Sequence, residues 1–171
     1  MKKLKLILVS FFFILLNINS SFSLNSNLKI ISGKAVITDG DTVKINNKKI
    51  RFSGIDAPES YFFGKKQSCI LNNIKILCGN LSKEKLVEKI GNQIVICKLE
   101  KNKDQYSRLI GECFINNESL SVFMVRNGYA FDYPKYSDGK YRKHEIYAKN
   151  FSLGLWQMQF EYPWIWRKKN R

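Results

Sequence analysis

The chain has 171 residues, with 29 Lys and Arg against 14 Asp and Glu, and a formal net charge of +15. That length suits one domain around one core rather than a string of domains, and the charge favours nucleic acid or an anionic surface as partner. Four cysteines with no C-x-x-C spacing, and a single histidine far from all of them, argue against a zinc centre.

Met1-Lys2-Lys3-Leu4-Lys5 is a positive start, Leu6 to Leu16 is apolar except for Ser10, and Asn17 to Ser23 is small and polar. This is the pattern of a secretory signal peptide over 1–23, with Ser21-Phe22-Ser23 as the expected processing triplet. The apolar run falls short of the roughly 20 residues that span a bilayer, and no cysteine follows it for lipid attachment. The expectation is therefore a periplasmic or secreted protein without stable membrane association after cleavage. Losing Lys2, Lys3 and Lys5 leaves a mature domain over 24–171 with a charge of 15 − 3 = +12. An even number of cysteines in an exported chain (Cys69, Cys78, Cys97 and Cys113) argues for disulfides, with three pairings open.

Lys29 to Val36 begins a β-leaning run, and Val43 to Ile45 and Ile50 to Phe52 continue it as short strands around an Asn46-Asn47 turn. Ser60 to Asn80 reads as irregular. Ser82 is an expected N-cap for a helix to about Ile90, stopped by Gly91-Asn92, with Leu86, Val87 and Ile90 as its buried face. Gln93 to Leu99 and Leu109 to Ile115 read as strands joined by the polar loop Glu100 to Ser107. Leu120 to Asn127 is a helix closed by Gly128, and Tyr141 to Phe151 a last helix, followed by a tail carrying Trp156, Trp164 and Trp166. Five short strands with a helix between the third and fourth, and about three helices in all, predict an α+β fold built on a five-stranded OB-type β-barrel.

Two acidic clusters carry the chemistry: Thr38-Asp39-Gly40-Asp41-Thr42-Val43, and Ile50-Arg51-Phe52-Ser53-Gly54-Ile55-Asp56-Ala57-Pro58-Glu59. A hairpin between them brings Asp41 and Asp56 together. Crowded carboxylates repel one another, so a cation is the natural reason for the arrangement, and an all-oxygen donor set suits Ca2+. Asp39 could support it through a water, although an Asp-Gly pair is also a plain turn signal. Arg51 stands beside the second cluster, and Arg108 is its expected partner, because guanidinium forks hold phosphate oxygens and stay charged. Glu59 follows the rigid Pro58 and could take a proton from an attacking water. His144 lies among charges on the expected last helix and reads as surface, which leaves a carboxylate as the base.

These residues resemble the staphylococcal nuclease (thermonuclease) family. The matching stretches are Asp39-Gly40-Asp41-Thr42-Val43, Ile50-Arg51-Phe52 with Gly54-Ile55-Asp56-Ala57-Pro58-Glu59, then Asp104, Tyr106 and Arg108, and further on Val125-Arg126-Asn127-Gly128-Tyr129-Ala130 and Gly154-Leu155-Trp156. The resemblance runs from about Ile31 to Trp166. It implies Ca2+ held by Asp41, Asp56 and the backbone carbonyl of Ala57, with Arg51 and Arg108 on the scissile phosphate and Glu59 as general base. Tyr106, Tyr133 and Tyr136 are the implied substrate-binding tyrosines, and DNA and RNA the implied substrates, cut to 5′-hydroxyl and 3′-phosphate ends; separately, a monomer is expected. The family's founding member has threonine in place of Ala57, glycine in place of Ser107 and no cysteines. The chain is more similar to a cysteine-containing Gram-negative branch, which implies the pairs Cys69–Cys78 and Cys97–Cys113. The competing expectation is a nucleic-acid-binding barrel without catalysis. Loss of Asp41, Arg51, Glu59 or Arg108 would favour it, and all four are present.

Overall fold

The computed structural model describes residues 29–171, so the expected signal peptide lies outside the described residues. The elements in chain order are β1 (Ile30–Lys34), β2 (Val36–Asp39), β3 (Thr42–Ile45), β4 (Lys48–Phe52) and β5 (Ile55–Asp56), then the β6 (Cys69–Leu71) and β7 (Ile74–Ile76) hairpin and α1 (Cys78–Ile90). They continue with β8 (Ile94–Lys103), β9 (Leu109–Ile115), β10 (Glu118–Ser119), α2 (Leu120–Arg126), β11 (Phe131–Asp132), α3 (Pro134–Ser137) and α4 (Arg142–Asn150). A 3-10 turn (Gly154–Gln157) leads to α5 (Pro163–Lys169).

The main sheet runs β1-β8-β9-β4-β3-β2, with β10 on β9. Only Ala35 separates β1 from β2, so one bent first strand pairs with β8 at one end and with β3 at the other. That bend curls the sheet on itself into an OB-type barrel. All pairings in it are antiparallel except β4 with β9, where Ile50 lies opposite Leu109. Counting β1 and β2 together, the barrel has the five expected strands: β1/β2, β3, β4, β8 and β9. Its interior holds Val43, Ile45, Ile50, Phe52, Val95, Leu99 and Ile115, sealed by Leu86 and Ile90 of α1 and Leu120 and Met124 of α2. A second cluster gathers Phe131, Leu155 and the Cys69–Cys78 pair, covered by Trp156, Phe160, Tyr162 and Trp164 from the C-terminal end.

Three hairpins use the same device. Asn46-Asn47, Asn72-Asn73 and Asn116-Asn117 each place two successive residues at positive φ. Asn tolerates the left-handed region, and two such residues in a row give the tight turn whose twist matches the flanking strands.

Several expectations change. Ser60 to Asn80 is not wholly irregular, because Asn72-Asn73 builds the β6–β7 hairpin. The helix starts five residues earlier than expected, at Cys78, and Leu77 rather than Ser82 is its N-cap. Ser82 instead sits buried within α1 and donates to the Tyr129 carbonyl at 2.7 Å. The buried stripe is Cys78, Ser82, Leu86 and Ile90, a strict four-residue spacing that leaves Val87 47 % exposed. β8 runs to Lys103, through half of the expected loop. The last helix is α5, which starts at Pro163, fixed by its ring at the first helical position.

Candidate active site

The ends of β2, β3, β4 and β5 meet beneath α1. A Cβ on Gly40 would come within 2.8 Å of Ser82 Cβ and 2.9 Å of Ala57 Cβ, so the Asp39-Gly40-Asp41 turn can lie this close to the helix only with glycine there. Asp41 and Asp56 are both buried, at 2 % and 0 % exposure. Asp41 Oδ2 accepts the Ala57 backbone N–H at 2.9 Å, and its Oδ1 accepts the Thr42 hydroxyl at 2.8 Å. Asp41 is thereby fixed to the loop that carries Asp56. Arg51 bridges them, with Nη1 on Asp41 Oδ1 at 2.8 Å and Nη2 on Asp56 Oδ1 at 2.5 Å. Both acids hold its guanidinium more firmly protonated than usual, against the opposing effect of burial.

Glu59 is placed by an unexpected residue, Gln67, which is wholly buried. Gln67 Oε1 accepts the Glu59 N–H at 3.2 Å, the Gln67 N–H donates to the Glu59 carbonyl at 2.9 Å, and Gln67 Nε2 donates to the Glu161 carbonyl at 2.7 Å. Gly79, in the first turn of α1, packs directly on the Glu59 carbonyl, where a Cβ would overlap it.

The site's second arginine is Arg167 of α5. Its Nη2 donates to Asp56 Oδ2 at 2.7 Å, and its Nη1 donates to Asp56 Oδ1 at 3.0 Å and to Glu59 Oε1 at 2.5 Å. The expected second arginine, Arg108, points its Nε to Asp104 Oδ2 at 2.6 Å and lies over the Tyr106 ring, away from the carboxylates. Burial alone would push the Asp104 carboxyl up, but the Arg108 N–H, the Arg108 guanidinium and the Tyr106 N–H together hold it below its usual range. Ser107, at φ 61°, makes the turn that permits this pairing. The expected tyrosines are split. Tyr106 and Tyr136 are exposed, while Tyr133 lies edge-on to Tyr136 at 4.9 Å and stacks flat on Trp164 at 4.8 Å. The lone histidine, His144, is half-buried rather than surface, and burial, Lys143 and Arg126 lower its pKa. Among the described residues its side chain makes no hydrogen bond to the carboxylates of the cluster.

Asp39, Asp41, Asp56 and Glu59 set four carboxylates against two guanidinium groups. The excess shows in the pKa values. Burial, then the charges of Asp41 and Glu59, push Asp39 up to about 8. Burial and Asp41 likewise raise Glu59, against the pull of Arg167. A surplus of negative charge, presented by oxygen atoms alone, fits a hard divalent cation. Asp41, Asp56 and the Ala57 carbonyl would hold it. Among the described residues no three His, Cys, Asp or Glu side chains converge as a metal shell, and guanidinium groups lie on the aspartate oxygens.

Residues 49–158 match the family model described as staphylococcal nuclease homologue. The chain belongs to the staphylococcal nuclease family. Arg51, Asp56, Glu59 and Arg108 lie inside the matched segment. The chain is 30 % identical over 154 residues to "Probable staphylococcal-like nuclease CAN3" of Oryza sativa subsp. japonica, covering 89 % of this chain and 37 % of that protein. It is 27 % identical over 135 residues to the succinoglycan biosynthesis protein ExoI of Rhizobium meliloti (strain 1021), covering 77 % and 68 %. It is 29 % identical over 158 residues to endonuclease YhcR of Bacillus subtilis (strain 168), covering 74 % and 12 %. The chain thus spans little more than a third of the rice relative's length. Cys69 is bonded to Cys78 and Cys97 to Cys113, the pairs that the resemblance implied.

Proposed function

We propose that this protein is an exported, Ca2+-dependent nuclease that hydrolyses the phosphodiester bonds of DNA and RNA. The observation that carries the reading is the buried Asp41–Arg51–Asp56 bridge with Glu59 beside it, inside a family whose relatives bear nuclease names. A bound Ca2+ would supply Lewis-acid stabilisation of charge on the phosphate oxygens. Asp41, Asp56 and the Ala57 carbonyl would hold that ion. Glu59 accepts the proton of the attacking water as the new P–O bond forms. Arg51 then faces the charge that gathers on the phosphate, joined by Arg108 once it turns from Asp104. The P–O5′ bond breaks, and the 5′-oxygen leaves with a proton from solvent. Tyr106, Tyr133 and Tyr136 offer ring faces to bases, a sequence-tolerant contact.

Export to the periplasm or beyond is supported by two disulfides, which persist in oxidising compartments, and by the leader pattern over 1–23. Among the described residues no helix is long and apolar enough to cross a membrane. We read the mature protein, 24–171, as a monomer.

Incubation of the oxidised protein with plasmid DNA and with RNA, in Ca2+ and in chelator, tests the reading. Cleavage in Ca2+ and none in chelator is expected, with weak, salt-sensitive binding retained through the basic surface. Full cleavage in chelator would remove the metal role. Binding without cleavage under every condition would make the protein a nucleic-acid-binding module.

A further inference from the structure

The C-terminal helix α5 lies on the site it follows in sequence. Three contacts of α5 and the residues just after it fall on groups that the proposed function needs. Arg167 bonds both carboxylate oxygens of Asp56 and one of Glu59. Trp164 stacks on Tyr133, with ring centroids 4.8 Å apart and planes 6° apart. Arg171 donates to the Tyr106 hydroxyl at 3.3 Å. Trp166 meets Phe62 edge-on at 6.1 Å, and Lys65 Nζ donates to Asn170 Oδ1 at 3.3 Å, so the helix is moored on the Glu59 side as well. The tail thus presents a cation where a metal would bind and an aromatic plane where a base would stack.

We propose that residues 163–171 form an autoinhibitory strap, in which Arg167 and Trp164 compete with divalent cation and nucleobase for the same groups. The proposal rests on the metal-dependent nuclease reading of this site. Its physical basis is competition for lone pairs. Asp56 Oδ1 accepts from both Arg51 and Arg167 and Oδ2 from Arg167, so three of the carboxylate's roughly four lone-pair sites are taken and a fixed positive charge stands where the cation would sit. Metal loading therefore requires Arg167 to release at least one of these sites. Arg51 remains as the bridge between Asp41 and Asp56, so the pair keeps one counter-charge when Arg167 withdraws. The strap's other contacts are the stacking at Tyr133, the rim contact at Tyr106, Trp166 against Phe62 and Lys65 on Asn170. A bound nucleotide offers the two tyrosine rings an alternative partner.

The test is calorimetric titration of the full, disulfide-intact chain with Ca2+ alone, for wild type, Arg167→Gln and Arg167→Lys, each first shown folded by its melting transition. Arg167→Gln should bind Ca2+ at least tenfold more tightly than wild type. Arg167→Lys, which keeps the charge and loses the fork, should fall between them. In wild type, Ca2+ should also speed amide hydrogen exchange across 163–171 by at least fivefold. Equal Ca2+ affinity in all three proteins, or unchanged exchange in the tail, overturns the strap and leaves the nuclease reading standing. Absence of Ca2+ binding in every variant overturns both. Weaker Ca2+ binding by Arg167→Gln, or a loss of cleavage beyond tenfold at saturating Ca2+, would make Arg167 part of the working site and overturn the strap.

Discussion

Glu59 is held from three directions: by Gln67 through its backbone, by Gly79 through close packing, and by Arg167 at its carboxylate. Such restraint suits a group that must meet a water at one position. Glu59→Gln keeps the shape and removes the basic oxygen. It should lower kcat by about 10²–10⁴, the usual contribution of a general base, with DNA affinity held, as measured by single-turnover cleavage and filter binding. Glu145 offers a separate test, remote from the proposed chemistry. Its Oε1 accepts the Asp132 N–H at 3.2 Å, while burial and the Asp132 charge raise its pKa. A carboxyl whose folded pKa is raised binds its proton more firmly folded than unfolded. Its stabilising effect is full below the ordinary carboxylate range and is lost as pH climbs through the raised value. Glu145→Gln should therefore match wild type near pH 4 and melt roughly 1–2 °C higher near pH 8, the small size expected of a half-exposed, solvent-screened charge pair. Melting curves at the two pH values check it.

At the scale of elements, α1 positions the site by packing against two loops at once. Gly79 admits the Glu59 loop, and Gly40 admits the turn that carries Asp41. Gly79→Ala drives a methyl group into the Glu59 carbonyl, which must move. Overpacking of this kind costs about 1–3 kcal/mol, so a lower melting temperature and a loss of activity are expected together. The β-barrel order, the strands around Asn46-Asn47 and the Asp41–Asp56 meeting were legible in the sequence, because turn chemistry and β-branched runs act locally. The same Asn-Asn signal stands at positions 72–73 between the apolar runs Ile70-Leu71 and Ile74-Lys75-Ile76-Leu77, so the β6–β7 hairpin was legible too. The start of α1 was misplaced because Ser82 is both a good N-cap residue and a good buried donor, and the Tyr129 carbonyl that settles the matter is remote in sequence. Arg167 left no signal at all. It stands in a basic run at the end of the chain, with a sequence separation of 111 from Asp56, and only the aromatic mooring of α5 aims it inward.

For the molecule as a whole, two disulfides staple different parts. Cys97–Cys113 joins directly opposed residues of β8 and β9, with Cα atoms 4.0 Å apart, inside the barrel wall. Cys69–Cys78 ties the β6–β7 hairpin to the start of α1 beneath the aromatic cluster. Each closed loop contributes about 3 kcal/mol in the chain-entropy model. Reduction should therefore lower the denaturant midpoint substantially, and Cys69→Ser with Cys78→Ser should also loosen the α1 register that places Glu59. Equilibrium unfolding of oxidised, reduced and double-serine proteins measures both effects.

The parallel seam sets the order of events in folding. β4 cannot complete its outer edge until β9 arrives, and the connection between them includes the β6–β7 hairpin, α1 and β8. Closing so long a loop before any contact rewards it makes the barrel slow to form, and non-local topologies of this kind typically fold in milliseconds to seconds. α5 contributes no strand to the main sheet, and its Arg167 reaches Asp56 across a sequence separation of 111. The barrel can therefore close around Asp41, Arg51 and Asp56 before Arg167 docks, and a refolding molecule in that interval holds its acids with one guanidinium instead of two, open to the ions around it.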